Sequence, residues 1–397
     1  MPSEAMPLIR LKAREDRRIR RGHCWVYDGE IADAPDDLTA GRSVLLTDAD
    51  GRPLASALWN PASLIRARVF SRRPGDFADL IDEHVLAAQA LRGRLYREKH
   101  YRLVYGESDG LPGLVVDRYG PVLVAQISSA VAEAHSERLC DSLRALAGVD
   151  CLVIRRDASV RLREGLALEE PELLGELPEL VWAREGGLVH PVDVLGGSKT
   201  GWFWDQRDNR AFVRRAASGA RVLDLFCHSG GFALQAAAGG AKEVLGLDRS
   251  QQALSAARSA AEMGGLTSVC RWQARNLIAG QSGGKGGGNW PKGPWDLVVL
   301  DPPALAKSRG EAKAALGAYL HLNRKAASRV GRGGLLLSCS CTSPVEEEIW
   351  RGTVLRAVRK AGRGARIIYR GGQGADHPVL PGMPETRYLK VLGLQLD

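Results

Sequence analysis

Four apolar runs in the second half of the chain end in side chains that can do chemistry. RVL leads to Asp224 and then LFCHSGG, EVLGL to Asp248, WDLVVL to Asp301-Pro302-Pro303, and GLLL to Ser338-Cys339-Ser340-Cys341. Each run is followed by turn residues and, apart from VCRWQA between the second and third, by a helical pattern such as RSQQALSAARSAAEMGG or LGAYLHLNRKAASRV. Alternating β and α units predict a largely parallel, doubly wound sheet covered on both faces. Ligands meet such a sheet at the carboxyl ends of its strands.

Those ends are chemically selective. The glycines of CHSGG let a ligand approach the backbone, but their spacing is not GxGxxG, which disfavours a dinucleotide. Asp248, 24 residues after Asp224, stands where a carboxylate accepts from both hydroxyls of a ribose. Adenosine without a pyrophosphate points to S-adenosylmethionine. The plainer role for Asp248 is an N-cap for the helix that follows. Pro302 and Pro303 make a rigid ledge of carbonyl acceptors beside Asp301, or merely stiffen a loop. A thiolate from SCSC, placed opposite a methyl donor, can attack C6 of a pyrimidine and turn the unreactive C5 into an enamine-like carbon. A buried strand can equally use cysteine as a small hydrophobe, the reading preferred for Cys227. Trp202 and Trp204 of KTGWFWDQR either stack on a base or the donor or belong to a core.

The elements that must position these ends divide the chain into three. Residues 1–73 hold short β-like runs (SVLLTD, ASALW, LIRARVF) between DGR and NP turns, which suits a small β-barrel-like module. RRPGDF marks a boundary. An apolar pattern at Leu80, Ile81, Val85, Leu86 and Leu91 predicts a linker helix over 77–96. The rest of 74–188 reads as an α+β domain with strands at RLVYGE, GLVVDRYG, PVLVAQIS, CLVIRRD and SVRLREG. Residues 189–397 form the α/β unit. Its last two strands, ARIIYRGGQ and YLKVLGLQL, have no helix between them, so one of them runs antiparallel. The low-complexity run Gly280–Gly293 reads as a surface loop.

Composition narrows the function. With 45% hydrophobic and 25% charged residues the chain is an ordinary globular one. It has no apolar stretch long enough to span a bilayer and no signal-peptide pattern, so a cytoplasmic protein with no membrane partner is expected. Seven scattered cysteines without a CxxC pair make neither a disulfide framework nor a structural zinc site, and no metal is expected. The net charge of +9 favours a polyanion. IRLKAREDRRIRRG holds seven basic residues, and 349–375 another seven with no acid.

DLFCHSGGF, LDPPALAKS and LLLSCS, with KTGWFWDQRDNR at Lys199–Arg210 and ADHPVLPGMPETRYLK near the end, resemble the bacterial large-subunit rRNA cytosine-5 methyltransferases of the I type. RGHCWVYDGEI and WNPASLIRARVF resemble that family's N-terminal PUA RNA-binding module, and YGESDGLPGLVVDRYG the start of its central domain. The resemblance spans essentially the whole chain. It implies a multidomain protein: a β-barrel-like PUA module, an α+β central domain and a Rossmann-like class I methyltransferase domain that uses S-adenosylmethionine to make 5-methylcytosine in 23S-type rRNA.

Carried over residue by residue, the resemblance implies that Cys339 is the nucleophile. It sets Asp301 on the target base, with Pro302 and Pro303 shaping the pocket. Asp224 and Gly230 would lie along the methionine part of the donor, and Asp248 on its ribose. Asn276 stands where the family typically has an acid for the adenine amino group, which an amide oxygen can still satisfy. Lys199, Gln206 and Arg207 offer donors for a carboxylate or phosphate, and Gln206 is placed with the cofactor. The role of Cys341 stays open. Two other readings stand beside this one: guanine or adenine N-methylation, which needs no cysteine because nitrogen brings its own lone pair, and a non-catalytic RNA-binding protein on a methyltransferase scaffold. Because the target base must be unstacked, naked or partly assembled rRNA is the expected substrate. The oligomeric state is open, a homodimer included.

Overall fold

A computed structural model describes residues 6–197, 200–278 and 290–397. Residues 280–289 of the glycine-rich run, and Lys199, lie outside the described residues. The chain forms two compact units, one of residues 1–181, 192–204 and 375–386, the other of residues 182–191, 205–374 and 387–397. Among the described residues no helix is long and apolar enough to cross a membrane.

The first unit carries two sheets. Strands within residues 8–71 make a six-stranded sheet. It is antiparallel except where Leu8–Leu11 runs parallel to Ser43–Thr47. Ile9, Leu11, Val44 and Leu46 alternate into its core, as a period of two requires. A five-stranded sheet follows, built from His100–Tyr105, Leu114–Tyr119, Val122–Ile127, Cys151–Arg156 and Glu169–Gly175. The linker helix Phe77–Leu95 covers it with Phe77, Ile81, Val85 and Ala88, and starts where the Asp76 carboxylate accepts the Ala78 N–H at 2.9 Å.

One expected strand is not a strand. SVRLREG is a 3₁₀ turn, Ser159–Glu164, with Val160 and Leu162 exposed. What the turn buries is polar, Arg161 and Glu164, three positions apart. The Arg161 guanidinium donates to the carbonyls of Ile127 and Ala167 and to Glu133, while the Glu164 carboxylate accepts from Asn60, Ser63 and Arg68. The fifth strand is instead Glu169–Gly175, largely exposed at the sheet edge, where no face is buried to leave a pattern.

The second unit holds the seven-stranded sheet. Its strands, numbered within this sheet, are β1 (Arg221–Leu225), β2 (Glu243–Asp248), β3 (Cys270–Ala274), β4 (Trp295–Leu300), β5 (Val330–Ser340), β6 (Ala365–Gly371) and β7 (Lys390–Leu396). Their order is β3-β2-β1-β4-β5-β7-β6. The first five strands are parallel, and β7 is the antiparallel one, paired with both β5 and β6. Its helices are α1 (Arg207–Ala216), α2 (Gly231–Ala238), α3 (Gln251–Met263), α4 (Ala312–Ala327) and α5 (Glu347–Lys360). Successive strand residues serve opposite layers. Leu223, Leu245, Val298 and Leu336 pack with α4 and α5, whereas Val222, Val244, Leu297 and Leu337 pack with α1, α2 and α3. The fold class expected from the sequence is the one observed.

A hairpin the sequence pattern did not indicate, Val181–Glu185 with Leu188–Val192, precedes the sheet. Glu185 on it accepts two hydrogen bonds of 2.6 Å from the Arg210 guanidinium of α1, both side chains being buried. Removing one partner of a buried ion pair strands the other charge, which costs about 3–5 kcal/mol. Glu185→Ala is therefore expected to lower unfolding stability by that order, and Glu185→Leu combined with Arg210→Met by much less. Urea unfolding curves in which the single and double variants lose equal stability would contradict this.

Candidate functional site

The order of the parallel strands reverses between β1 and β4, so the chain leaves their carboxyl ends in opposite directions and opens a crevice. On the β1 side the loop to α2 is tightly wound. Phe226, His228 and Gly230 have φ of 64°, 48° and 79°, a conformation unfavourable for the two residues that carry a Cβ. Hydrogen bonds hold it: the Cys227 N–H donates to the Leu247 carbonyl at 3.0 Å, and the His228 N–H to Asp248 Oδ2 at 3.0 Å. Asp248 Oδ1 accepts the Ser250 N–H at 2.9 Å. Gly230 needs to be glycine for a second reason. A Cβ there would lie 2.6 Å from the Trp272 ring, and one on Gly246 only 2.5 Å from it. The indole of β3 thus lies against both glycine backbones.

Asp224 sits beneath this loop with no solvent exposure. Its Oδ2 accepts the Ala233 N–H in the first turn of α2 at 2.9 Å, and its Oδ1 has no hydrogen-bond partner in the described structure. Burial pushes its carboxyl up to about 8, against the pull of the Ala233 N–H.

On the β4 side, Asp301 is half-buried, and its Oδ2 accepts the Gln206 amide N–H at 2.9 Å. Pro302 behind it is buried and Pro303 is exposed. Cys339 projects from β5 into the α1–α3 layer and is fully buried. Burial raises its thiol far above the ordinary range, the nearby Asp301 charge adds to this, and a hydrogen bond from Gln206 acts the other way. Cys341 lies along the same layer but is only partly buried. The turn after Cys341 is pinned from both sides. Thr342 Oγ1 shares a 2.7 Å hydrogen bond with the Tyr319 hydroxyl and accepts the Leu305 N–H at 3.0 Å. Lys390 Nζ donates to the Thr342 and Val345 carbonyls at 2.8 Å.

The PUA-like domain family matches residues 9–72, and the S-adenosylmethionine-dependent methyltransferase family matches residues 160–357. The ribosomal RNA large subunit methyltransferase I of Erwinia tasmaniensis is 37% identical over 391 residues, covering 96% of this chain and 97% of that protein. That of Aeromonas hydrophila is 37% identical over 395 residues, with coverage of 96% and 97%. The chain belongs to the ribosomal RNA large subunit methyltransferase I family. Its fold is shared with two solved structures. One, from Streptococcus mutans, is described as a SAM-dependent methyltransferase and has a TM-score of 0.80. The other, SMU.776, complexed with SAH, has a TM-score of 0.82. Each is 17% identical and covers 98% of this chain and 100% of its own.

A family member uses S-adenosylmethionine, and the described residues include chemistry that fits that donor: a buried Asp224 oxygen without a partner, suited to a cationic group, and the Asp248 carboxylate at the carboxyl end of β2. Asn276 is exposed, with Oδ1 accepting the Ile278 N–H at 3.1 Å. Gln206, placed with the cofactor by sequence, donates from Nε2 to Asp301 Oδ2 at 2.9 Å. Trp204 is fully buried, its ring 5.7 Å from that of Tyr119, so it belongs to a core rather than to a stacking platform. Sequence reasoning missed Asn209, Trp272, Tyr319, Thr342 and Tyr369. Asn209 lies inside KTGWFWDQRDNR, and Trp272, Tyr319 and Tyr369 lie inside the runs VCRWQA, LGAYLHLNRKAASRV and ARIIYRGGQ, where they read as ordinary strand and helix aromatics.

The Asp224 carboxyl carries a pH signature. Its folded value, raised to about 8 from 3.8, means that its proton stabilises the fold fully below about pH 4 and that this contribution is lost as pH rises toward 8. Asp224→Asn is uncharged throughout. In donor-free thermal melts from pH 5.5 to 8.5 the variant should therefore gain stability relative to wild type as pH rises, and parallel curves would exclude a buried titrating Asp224.

Proposed function

We propose that the protein transfers a methyl group from S-adenosylmethionine to C5 of a cytosine in large-subunit rRNA, through a covalent bond between Cys339 and C6. One observation carries this reading: a buried thiol, a carboxylate and an amide donor, Cys339, Asp301 and Gln206, stand together at the carboxyl ends of adjacent strands β4 and β5. An N-methyltransferase has no use for the thiol. The names of the relatives support large-subunit rRNA as substrate, and the PUA-like module supplies an RNA-facing surface. On that module Arg14, Arg17 and Arg21 are exposed, whereas Arg18 pairs with Glu30, and Arg20 with Asp16 and Asp48.

Bound S-adenosylmethionine supplies an electrophilic methyl group on a sulfonium. Asp224, Gly230 and Asp248 would hold and orient it, while Asp301, backed by Pro302, would grip the edge of the unstacked cytosine. The Cys339 thiol loses its proton to solvent and its sulfur bonds to C6, so that the electrons of the C5–C6 double bond are free at C5 to form the bond to the methyl group, whose bond to the donor sulfur would break to leave the neutral thioether. Loss of the C5 proton to a base and departure of the Cys339 sulfur from C6 restore the ring double bond and the thiolate.

Fluorine in place of the C5 hydrogen blocks proton loss and traps the adduct. RNA carrying 5-fluorocytidine at the target is expected to give a donor-dependent covalent complex with wild type and with Cys341→Ala, and none with Cys339→Ala. A complex that persists in Cys339→Ala and vanishes in Cys341→Ala reverses the assignment. Methylated RNA with no complex at all points to a nitrogen target. Separately, Asp248→Ala removes an acceptor for the donor's ribose and an anchor of the His228 N–H, so donor binding by calorimetry should weaken by roughly 1.5–3 kcal/mol. Unchanged affinity would take Asp248 out of the donor site.

A further inference from the structure

The Gln206 amide ends a chain of hydrogen bonds whose direction is set at both ends. At one end, Asn209 Nδ2 donates to the Gly372 carbonyl at 2.9 Å, and a carbonyl can only accept. The Tyr369 hydroxyl donates to Asn209 Oδ1 at 2.9 Å, which confirms that orientation. The second Asn209 Nδ2 hydrogen goes to Gln206 Oε1 at 2.7 Å. At the other end, Gln206 Nε2 donates to Asp301 Oδ2 at 2.9 Å, and the strand β4 that leads into Asp301 pairs with β5, which carries Cys339. Both amide side chains are buried, so rotating either one would bring acceptor against acceptor away from water. Tyr369 itself is held by the Phe212 ring of α1, stacked at 4.1 Å.

We infer that Gln206 is a positioning residue that holds Asp301 beside Cys339, and that Asn209 fixes the direction in which its amide faces. This rests on the C5-methylation reading above and adds a specific device to it. Asp301 and the sulfur would repel each other once the thiol ionises. The Gln206 NH₂ gives one hydrogen to Asp301 and has a second to offer the thiolate, so that a carboxylate and a thiolate can stand side by side over the base. No proton is transferred to or from Gln206, which stays neutral throughout.

Two variants separate the amide's direction from mere added charge. In Asn209→Asp the new carboxylate only accepts, so the Gln206 NH₂ turns toward it and Oε1 faces Asp301 and Cys339. Gln206→Met removes the amide without adding charge. The readout is the rate of adduct formation on 5-fluorocytidine RNA, and of methyl transfer from labelled donor to an unmodified rRNA transcript, from pH 6 to 10. Both variants are expected to fall at least tenfold in kcat at pH 7.5, with the acidic limb of the profile moved to higher pH. KM for RNA and donor affinity should stay within twofold, and circular dichroism melts should confirm folding. Unmoved pH profiles in both variants overturn the inference while leaving the C5 reading intact. A shift in Asn209→Asp alone also overturns it, because charge would then explain the effect. Weakened donor binding with a normal profile returns Gln206 to the cofactor. Failure of the wild type to form any adduct overturns the C5 reading and this inference together.

Discussion

Backbone pairing between β1 and β4 is the constraint on which the rest depends. These strands are sixty or more residues apart in sequence, yet Leu225 lies opposite Leu300, and the Asp301 N–H continues the ladder onto the Leu225 carbonyl at 3.3 Å. That register sets the loop after Asp224 beside Asp301-Pro302. A slip of one residue would turn every side chain of β4 to the other layer and carry its terminal acid with it. Both layers are apolar, with Leu223 and Val298 on one face and Val222 and Leu297 on the other, so side-chain shape and the backbone ladder, rather than apolar pattern, set this register. The pairing of two strands thus determines where the loop after Asp224 meets Asp301.

What the crevice then does is governed by low dielectric. Burial first, and the neighbouring acidic groups second, raise the Asp224 carboxyl and the Cys339 thiol, while the Ala233 N–H opposes the shift at Asp224 and the Gln206 amide opposes it at Cys339. The site thus disfavours its own charged form.

The unit that holds the PUA-like domain is built differently. Its first sheet is joined to the turn Ser159–Glu164 through Arg68, whose guanidinium bonds both Glu107 and Glu164 at 3.0 and 2.9 Å with all three side chains largely buried. Basic residues of the N-terminal cluster are thereby sorted. Some are consumed in local pairs, and others, such as Arg14, Arg17 and Arg21, remain turned to solvent.

By itself the sequence determined what periodicity and short-range chemistry can record. The strand ends at Asp224, Asp248, Asp301 and Cys339, the antiparallel finish of the sheet and the linker helix were legible because burial on two faces, glycine turns and a capped apolar stripe leave local marks. SVRLREG misled because its alternation comes from Val160 and Leu162, which are exposed, while the turn buries Arg161 and Glu164 against polar partners, and the exposed edge strand Glu169–Gly175 left no mark at all. Tertiary structure alone decided that Cys339, on β5, is sealed while Cys341, just past its end, is partly open, although both pack in the same layer. It alone brought Gln206 to Asp301 across 95 positions, and Tyr369 to Asn209 across 160. Hydrogen-bond partners so distant in the chain are selected by which strands pair and which helix covers them, and no local pattern of residue types carries that information.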